Sequence, residues 1–291
     1  WNDLPRMTES LLVDRSEVAA HISSRWQQYK RRIVHDLHDD VEQLVGIRHH
    51  EPPHDAVTVL VLTSPVPSNP DLSMIQETIA SIRIDLPGAE ILVCADGVRD
   101  EQTEMAADYH VFLHRLCVWA NAQFNVRVIT HHEHLHQSGL MRSVLPLVRT
   151  PYILFVEHDC PLVAPIPFGD CLDTMERCDL NVMRFMHETR VLGEHEYLFL
   201  DLHPDDTAPW RETIQFSARP HLARTDWYRW LIDTYFGVKS RTFIEDLAYG
   251  VLLAGKDGAG TPFADRIRVR ETWEWARMGV FHPEGNVRRS G

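Results

Sequence analysis

Pro151-Tyr-Ile-Leu-Phe-Val-Glu-His-Asp159 is the stretch on which the reading of this chain turns. From Tyr152 to Val156 no polar residue interrupts the run, and every residue but Leu154 is β-branched or aromatic. A strand with one wet face alternates apolar and polar residues, whereas a strand buried on both faces does not. The run therefore predicts a central strand of a sheet covered on both sides. The switch to Glu157-His-Asp159 marks its carboxyl end.

Working outward, the same texture recurs. Val57-Thr-Val-Leu-Val-Leu-Thr63 predicts a second buried strand and Glu90-Ile-Leu-Val-Cys-Ala95 a third, ending at Asp96-Gly97; residues 125–130 predict a fourth. Helical segments alternate with them. Ser68-Asn69-Pro70-Asp71 offers an N-cap and an N1 proline for a helix through Ile82, and further helices are expected over roughly 100–122 and 138–148. Such βαβα alternation predicts an α/β fold with a mainly parallel sheet and helices on both faces. Ligands in such sheets bind at the carboxyl ends of the strands. Those ends are Thr63-Ser64, Asp96-Gly97, His131 onward and Glu157-His158-Asp159.

The 291 residues carry 29 Lys and Arg against 42 Asp and Glu, a net charge of −13, which argues against a nucleic-acid track needing a basic face. No apolar run is long enough for a membrane span, and the N-terminal residues lack the pattern of a secretory signal. Five cysteines, with no C-x-x-C pair, point to free thiols in a reducing compartment, hence a cytoplasmic protein. Residues 1–55 form a separate helical extension. Val18, Ile22, Trp26, Tyr29, Ile33, Leu37, Val41 and Leu44 recur at steps of three and four, a long amphipathic helix that packs along the catalytic domain or pairs two copies of the chain as a homodimer.

Two chemistries compete for the motifs. His132-Glu133-His134-Leu135-His136 satisfies H-E-x-x-H, in which two histidines one helical turn apart hold zinc and the glutamate activates a water. Here it directly follows a β-type run, Val126 to Thr130, whereas a zinc hydrolase needs it inside a helix. The other candidate is Glu157 and Asp159, carboxylates at i and i+2 past a strand end. They suit Mg²⁺ or Mn²⁺, which prefer oxygen ligands, keep open positions and bridge to a diphosphate. A non-catalytic nucleotide- or sugar-binding module is the remaining alternative.

Taken in order, Thr58 to Ser64, Glu90 to Gly97, Gly139 and Arg142 on a helix, and Pro151 to Asp159 resemble the GT-A fold glycosyltransferases, most closely the broad family 2 type. The resemblance spans roughly residues 56–285 and implies a GT-A (Rossmann-like) catalytic domain at 56–291. Residues 56–164 would form its nucleotide-sugar half and 165–291 its acceptor half. It further implies Glu157 and Asp159 as metal ligands, Asp96 on the nucleotide base or ribose, and Thr63 and Ser64 lining the base pocket. Thr242-Phe-Ile-Glu245-Asp246 resembles the family's acidic motif at a helix start, with Asp246 as catalytic base and Glu245 in reserve. An acidic first turn that favours the helix dipole is the alternative for this pair.

Phe281-His282-Pro283 resembles the late histidine that completes the metal site, and Arg288 and Arg289 that follow would close over the diphosphate. Arg142 is a second diphosphate candidate, or a surface salt bridge. Trp227, Tyr228 and Trp230 suit sugar rings as well as a core, and Asp201 to Asp206 is an acceptor-side loop. The implied activity is transfer of a sugar from a nucleotide-diphosphate donor to an acceptor hydroxyl with Mn²⁺ or Mg²⁺, by inversion if Asp246 is the base.

Overall fold

Strand β1 (Val57–Thr63) is buried at all seven positions and lies between β2 (Glu90–Ala95) and β4 (Tyr152–Glu157), both parallel to it. The computed structural model describes residues 53–185, 213, 216–257 and 278–282, with backbone alone at 254–257 and 278–282. By its contacts the chain divides into two units, Trp1–His50 and Glu51–Gly291, and every described residue belongs to the second. The N-terminal amphipathic stripe therefore lies outside the described residues.

With β3 (Val126–Thr130), β5 (Val182–Phe185), β6 (His221–Arg224) and β7 (Met278–His282), these strands form one seven-stranded sheet in the order β3-β2-β1-β4-β6-β5-β7. Only β6 runs against the rest, antiparallel to both β4 and β5. The expected mixed, mainly parallel sheet is present. Strands from residues 56–164 and from 165–291 share it, so the two halves meet in one continuous sheet.

Besides a single helical turn at Pro53–Ala56, six helices among the described residues cover the sheet: α1 (Ser73–Asp85), α2 (Ala106–Asn121), α3 (His136–Val144), α4 (Phe168–Arg177), α5 (Thr225–Tyr235) and α6 (Ile244–Asp257). Alternation along β1 explains how one run feeds two cores. Val57, Val59 and Val61 pack with Ile75, Ile79 and Ile82 of α1, Phe112 and Leu116 of α2 and Met175 of α4. Leu60 and Leu62 turn the other way, toward Leu140 and Val144 of α3, Trp227 and Tyr228 of α5 and Ile244 and Leu252 of α6. Trp227 and Tyr228 are thus core residues, fully buried, rather than a sugar platform.

Helix starts differ from the sequence reading. Helix α1 begins at Ser73 because residues 68–71 form a turn and Asp71 takes the capping role, its carboxylate accepting from Ser73 N at 3.0 Å and Ser73 Oγ at 2.7 Å. The helix expected from residue 100 begins as a 3₁₀ segment, Asp100–Met105, before α2. The first residue of α3 is His136, at a positive φ of 59°, and the helix tightens into 3₁₀ at Leu145–Leu147.

Candidate functional site

The carboxyl end of β4 turns sharply. Cys160 N donates to Glu157 O at 3.0 Å, while His158 N donates to Leu62 O at 2.9 Å and Thr78 Oγ1 donates to His158 O at 2.7 Å. The turn gathers three ligand atoms, from Glu157, Asp159 and Cys160, all within 4.8 Å of one another. Both acidic residues are half-buried and Cys160 is buried, its thiol 3.5 Å from Asp159 Oδ1. Glu157 closes the strand, and Asp159 stands in the turn that follows it. Cys160, at i+3, is brought in only by the turn.

This donor set fits a hard divalent cation. Two carboxylates offer oxygen ligands, and their partial exposure leaves room for phosphate oxygens or water, which Mg²⁺ and Mn²⁺ retain. The thiol hydrogen bond orients Asp159 from the protein side.

The end of β2 is built differently. Asp96 is 2% exposed, and its carboxylate accepts from Gly97 N at 2.9 Å, Leu135 N at 2.7 Å and His136 N at 3.0 Å, with His134 Nδ1 2.7 Å from Oδ2. Its main chain is held as well, N to Thr63 O and O by the Tyr109 hydroxyl at 2.8 Å. The loop after β3 thus folds back over β2. Gly97 is required there, because a Cβ would sit 2.4 Å from the Glu133 carbonyl carbon. Asp96, expected to face a nucleotide, instead spends its carboxylate on this loop. Thr63 is 2% exposed with its hydroxyl buried and without a hydrogen-bond partner, and Ser64 beside it is half-buried.

The same loop disposes of the zinc motif. Residues 132–135 are bend and coil, and the helix starts only at His136. His132 and Glu133 are exposed, whereas the His136 ring packs edge-on against Phe243 with centroids 4.3 Å apart. Burial, reinforced by Arg99 and His134, holds the His136 imidazole below its usual pKa. The i, i+4 pair thus lacks the helix that would aim both histidines at one ion.

The first turn of α3 grips the start of α6. Ser138 N donates to Thr242 O at 3.3 Å and Ser138 Oγ to Ser240 O at 3.1 Å. Gln137, 6% exposed, reaches both sides of the site: its Oε1 accepts from Ile244 N at 2.8 Å, and its Nε2 donates to Glu157 Oε1 at 3.4 Å. Laid end to end, these contacts keep the Glu157 carboxylate within about 8 Å of the Ile244 amide. The acidic pair opens α6 as expected. Glu245 Oε2 accepts from Ala218 N at 2.9 Å, while Asp246 is exposed.

Sequence reasoning missed Gln137 and Cys160. A glutamine in a helix's first turn beside the strand ends was the available signal for the former. Arg142, a diphosphate candidate or a surface salt bridge by sequence, forms such a bridge: its guanidinium closes the carboxyl end of α5, donating to Asp233 Oδ1 at 2.8 Å, Ile232 O at 2.7 Å and Phe236 O. His282 stands at the carboxyl end of β7, paired with Phe185, three strand spacings or about 14 Å from β4. Arg288, Arg289 and the 201–206 loop lie outside the described residues.

No protein-family model matches the chain, and no curated protein sequence does. Solved structures similar to it include the mannosyltransferase PcManGT from Pyrobaculum calidifontis in complex with GDP-Man and Mn²⁺, at 16% identity and a TM-score of 0.47, covering 84% of this chain and 64% of that one. Residues 1–349 of S. aureus TarS give 13% identity and a TM-score of 0.45 over 76% and 70% of the two chains. GalNAc-T7 with UDP, GalNAc and Mn²⁺ gives 10% identity and a TM-score of 0.41 over 62% and 36%. The chain spans a little under two thirds of the mannosyltransferase's length. Residue roles rest on this chain's own geometry.

Proposed function

We propose that this chain is a metal-dependent glycosyltransferase, moving a sugar from a nucleotide-diphosphate donor to an acceptor hydroxyl with inversion. The observation that carries the reading is the convergence of Glu157, Asp159 and Cys160 at the carboxyl end of β4, with the acidic first turn of α6 clamped beside it through Gln137. Glu157 and Asp159 hold Mn²⁺ or Mg²⁺, which when bound stabilises negative charge on the leaving diphosphate as a Lewis acid. Ser64, with Thr63 behind it, borders the nucleoside. The family resemblance implies Arg288 and Arg289 on the diphosphate side, and His282 on the metal side although its strand lies about 14 Å from β4.

Asp246 takes the proton from the acceptor hydroxyl while that oxygen attacks the anomeric carbon and the bond to the diphosphate breaks. The exposure of Asp246 and the tie of Glu245 to Ala218 favour this division of labour within the pair. Among the described residues no helix is long and apolar enough to cross a membrane. We place the protein in the cytoplasm on its five free cysteines.

Calorimetric titration of UDP, GDP and dTDP with and without Mn²⁺ tests donor binding, and turnover of the matching nucleotide sugars tests transfer. Asp246→Asn is expected to lower turnover roughly 100- to 10,000-fold while leaving nucleotide affinity unchanged. Full activity in that variant removes the base assignment, and a product of retained configuration removes inversion. Tight Mn²⁺-dependent binding without hydrolysis or transfer of any nucleotide sugar establishes the binding-module alternative instead.

A further inference from the structure

Gln137 is a buried side chain that touches both the metal side and the base side of the site. The orientation of its amide follows from chemistry. The Ile244 N–H can only donate, so Oε1 faces it; the Glu157 carboxylate only accepts when ionised, so Nε2 faces that. Ile244 opens α6, so its N–H is one of the first-turn amides for which the helix itself supplies no acceptor. The acceptor comes from 107 residues upstream. At 3.4 Å, the arm to Glu157 is a long hydrogen bond to Oε1, one of its two carboxylate oxygens.

We propose that Gln137 is a positioning residue that locks the Glu157 carboxylate and the first turn of α6 into one geometry, so that metal site and base-bearing helix are set as a unit. Ser138, bonded to the 240–242 segment on the same turn of α3, braces the loop but reaches neither Glu157 nor Ile244 N. The inference rests on the metal-dependent transferase reading.

Two variants separate the arms. Gln137→Met removes both, and Gln137→Glu keeps an acceptor for Ile244 N while removing the donor to Glu157. Amide hydrogen exchange over residues 244–248 reads the α6 arm. Titration of UDP or GDP with Mn²⁺, whichever binds tighter to the wild type, reads the metal arm. In Gln137→Met, exchange is expected to rise about 10-fold or more, and Mn²⁺-dependent affinity to fall about 10-fold, the lower end for groups that orient metal ligands. In Gln137→Glu, exchange is expected to return to within about 2-fold of wild type.

Unchanged Mn²⁺-dependent affinity in a folded Gln137→Met protein, with Glu157→Ala abolishing it, overturns the positioning role and leaves the transferase reading intact. Equal exchange in the Met and Glu variants overturns the α6 arm. Nucleotide binding that never depends on Mn²⁺, or that survives both Glu157→Ala and Asp159→Ala, overturns the parent reading itself.

Discussion

The ends of β2 and β4 lie in one parallel sheet, and each presents an acidic residue, yet their carboxylates are put to opposite uses. At β2, Asp96 is buried and accepts three backbone amides of its own chain. At β4, Glu157 and Asp159 remain half-exposed and converge with Cys160 around a space sized for an ion. A buried carboxylate must be paid for by internal donors, and once those are in place it organises a loop. A half-exposed pair stays within reach of solvent and of a ligand. Position at a strand end therefore nominates a residue for function, and the hydrogen-bond inventory decides whether it is available.

Replacement of Asp96 breaks this contrast hardest. Asp96→Ala strands the amides of Gly97, Leu135 and His136 in a buried setting, and is expected to cost roughly 3–5 kcal/mol of folding stability. Urea unfolding measures it. A variant as stable as wild type that has lost only nucleotide binding would return Asp96 to the role the family resemblance implies. Asp159→Ala inverts the pattern: Mn²⁺-dependent nucleotide affinity is expected to fall about 100- to 1,000-fold, about 3–4 kcal/mol. Its folding stability should stay within about 0.5 kcal/mol of wild type, since the side chain is half-exposed. Equal losses of stability at the two strand ends would erase the distinction.

Burial also sets an acid limit, at a group in the adjacent antiparallel strand. His221 is fully buried, its ring in near-parallel contact with those of Phe155 and Tyr228, with Nδ1 2.7 Å from Arg219 O. Burial, helped by the Arg184 charge and opposed by the bond to Arg219 O, pushes its pKa down to about 4. Between pH 6.5 and about 4 the unfolded chain binds a proton that the folded one refuses, so stability falls as pH drops through that window. The loss is about 3 kcal/mol, complete near pH 4. His221→Phe should flatten stability over this range. An unaltered pH profile would show that some other group sets it.

What could be read from the sequence follows the same physics. Strands β1, β2 and β4 were legible because burial on both faces forces near-continuous apolar runs, and Glu157 with Asp159 because the apolar run breaks into acidic residues at the strand's carboxyl end. Helix starts were not, since Asp71 caps from a turn and His136 begins α3 at positive φ. Cys160 joins the site through a turn rather than a strand repeat. Gln137 was invisible because its partners lie 20 and 107 residues away in the chain. Contacts of that kind leave no local pattern.

Arg142 is the smallest break and the basic counterpart of Asp96. Its sequence left a diphosphate contact and a surface salt bridge both open, and in the fold its donors close the carboxyl end of α5, where a cation also meets the negative end of the helix dipole. The Asp233 contact is largely solvent-exposed and contributes little; the two carbonyls carry the effect. Arg142→Ala is therefore expected to cost about 1–2 kcal/mol of stability. Nucleotide affinity should stay within about 2-fold, because a group that touches no ligand contributes to binding only through the fold. A tenfold weaker nucleotide complex in an equally stable variant would mean that Arg142 leaves α5 when the ligand arrives, and that its role at the helix end belongs to the free protein alone.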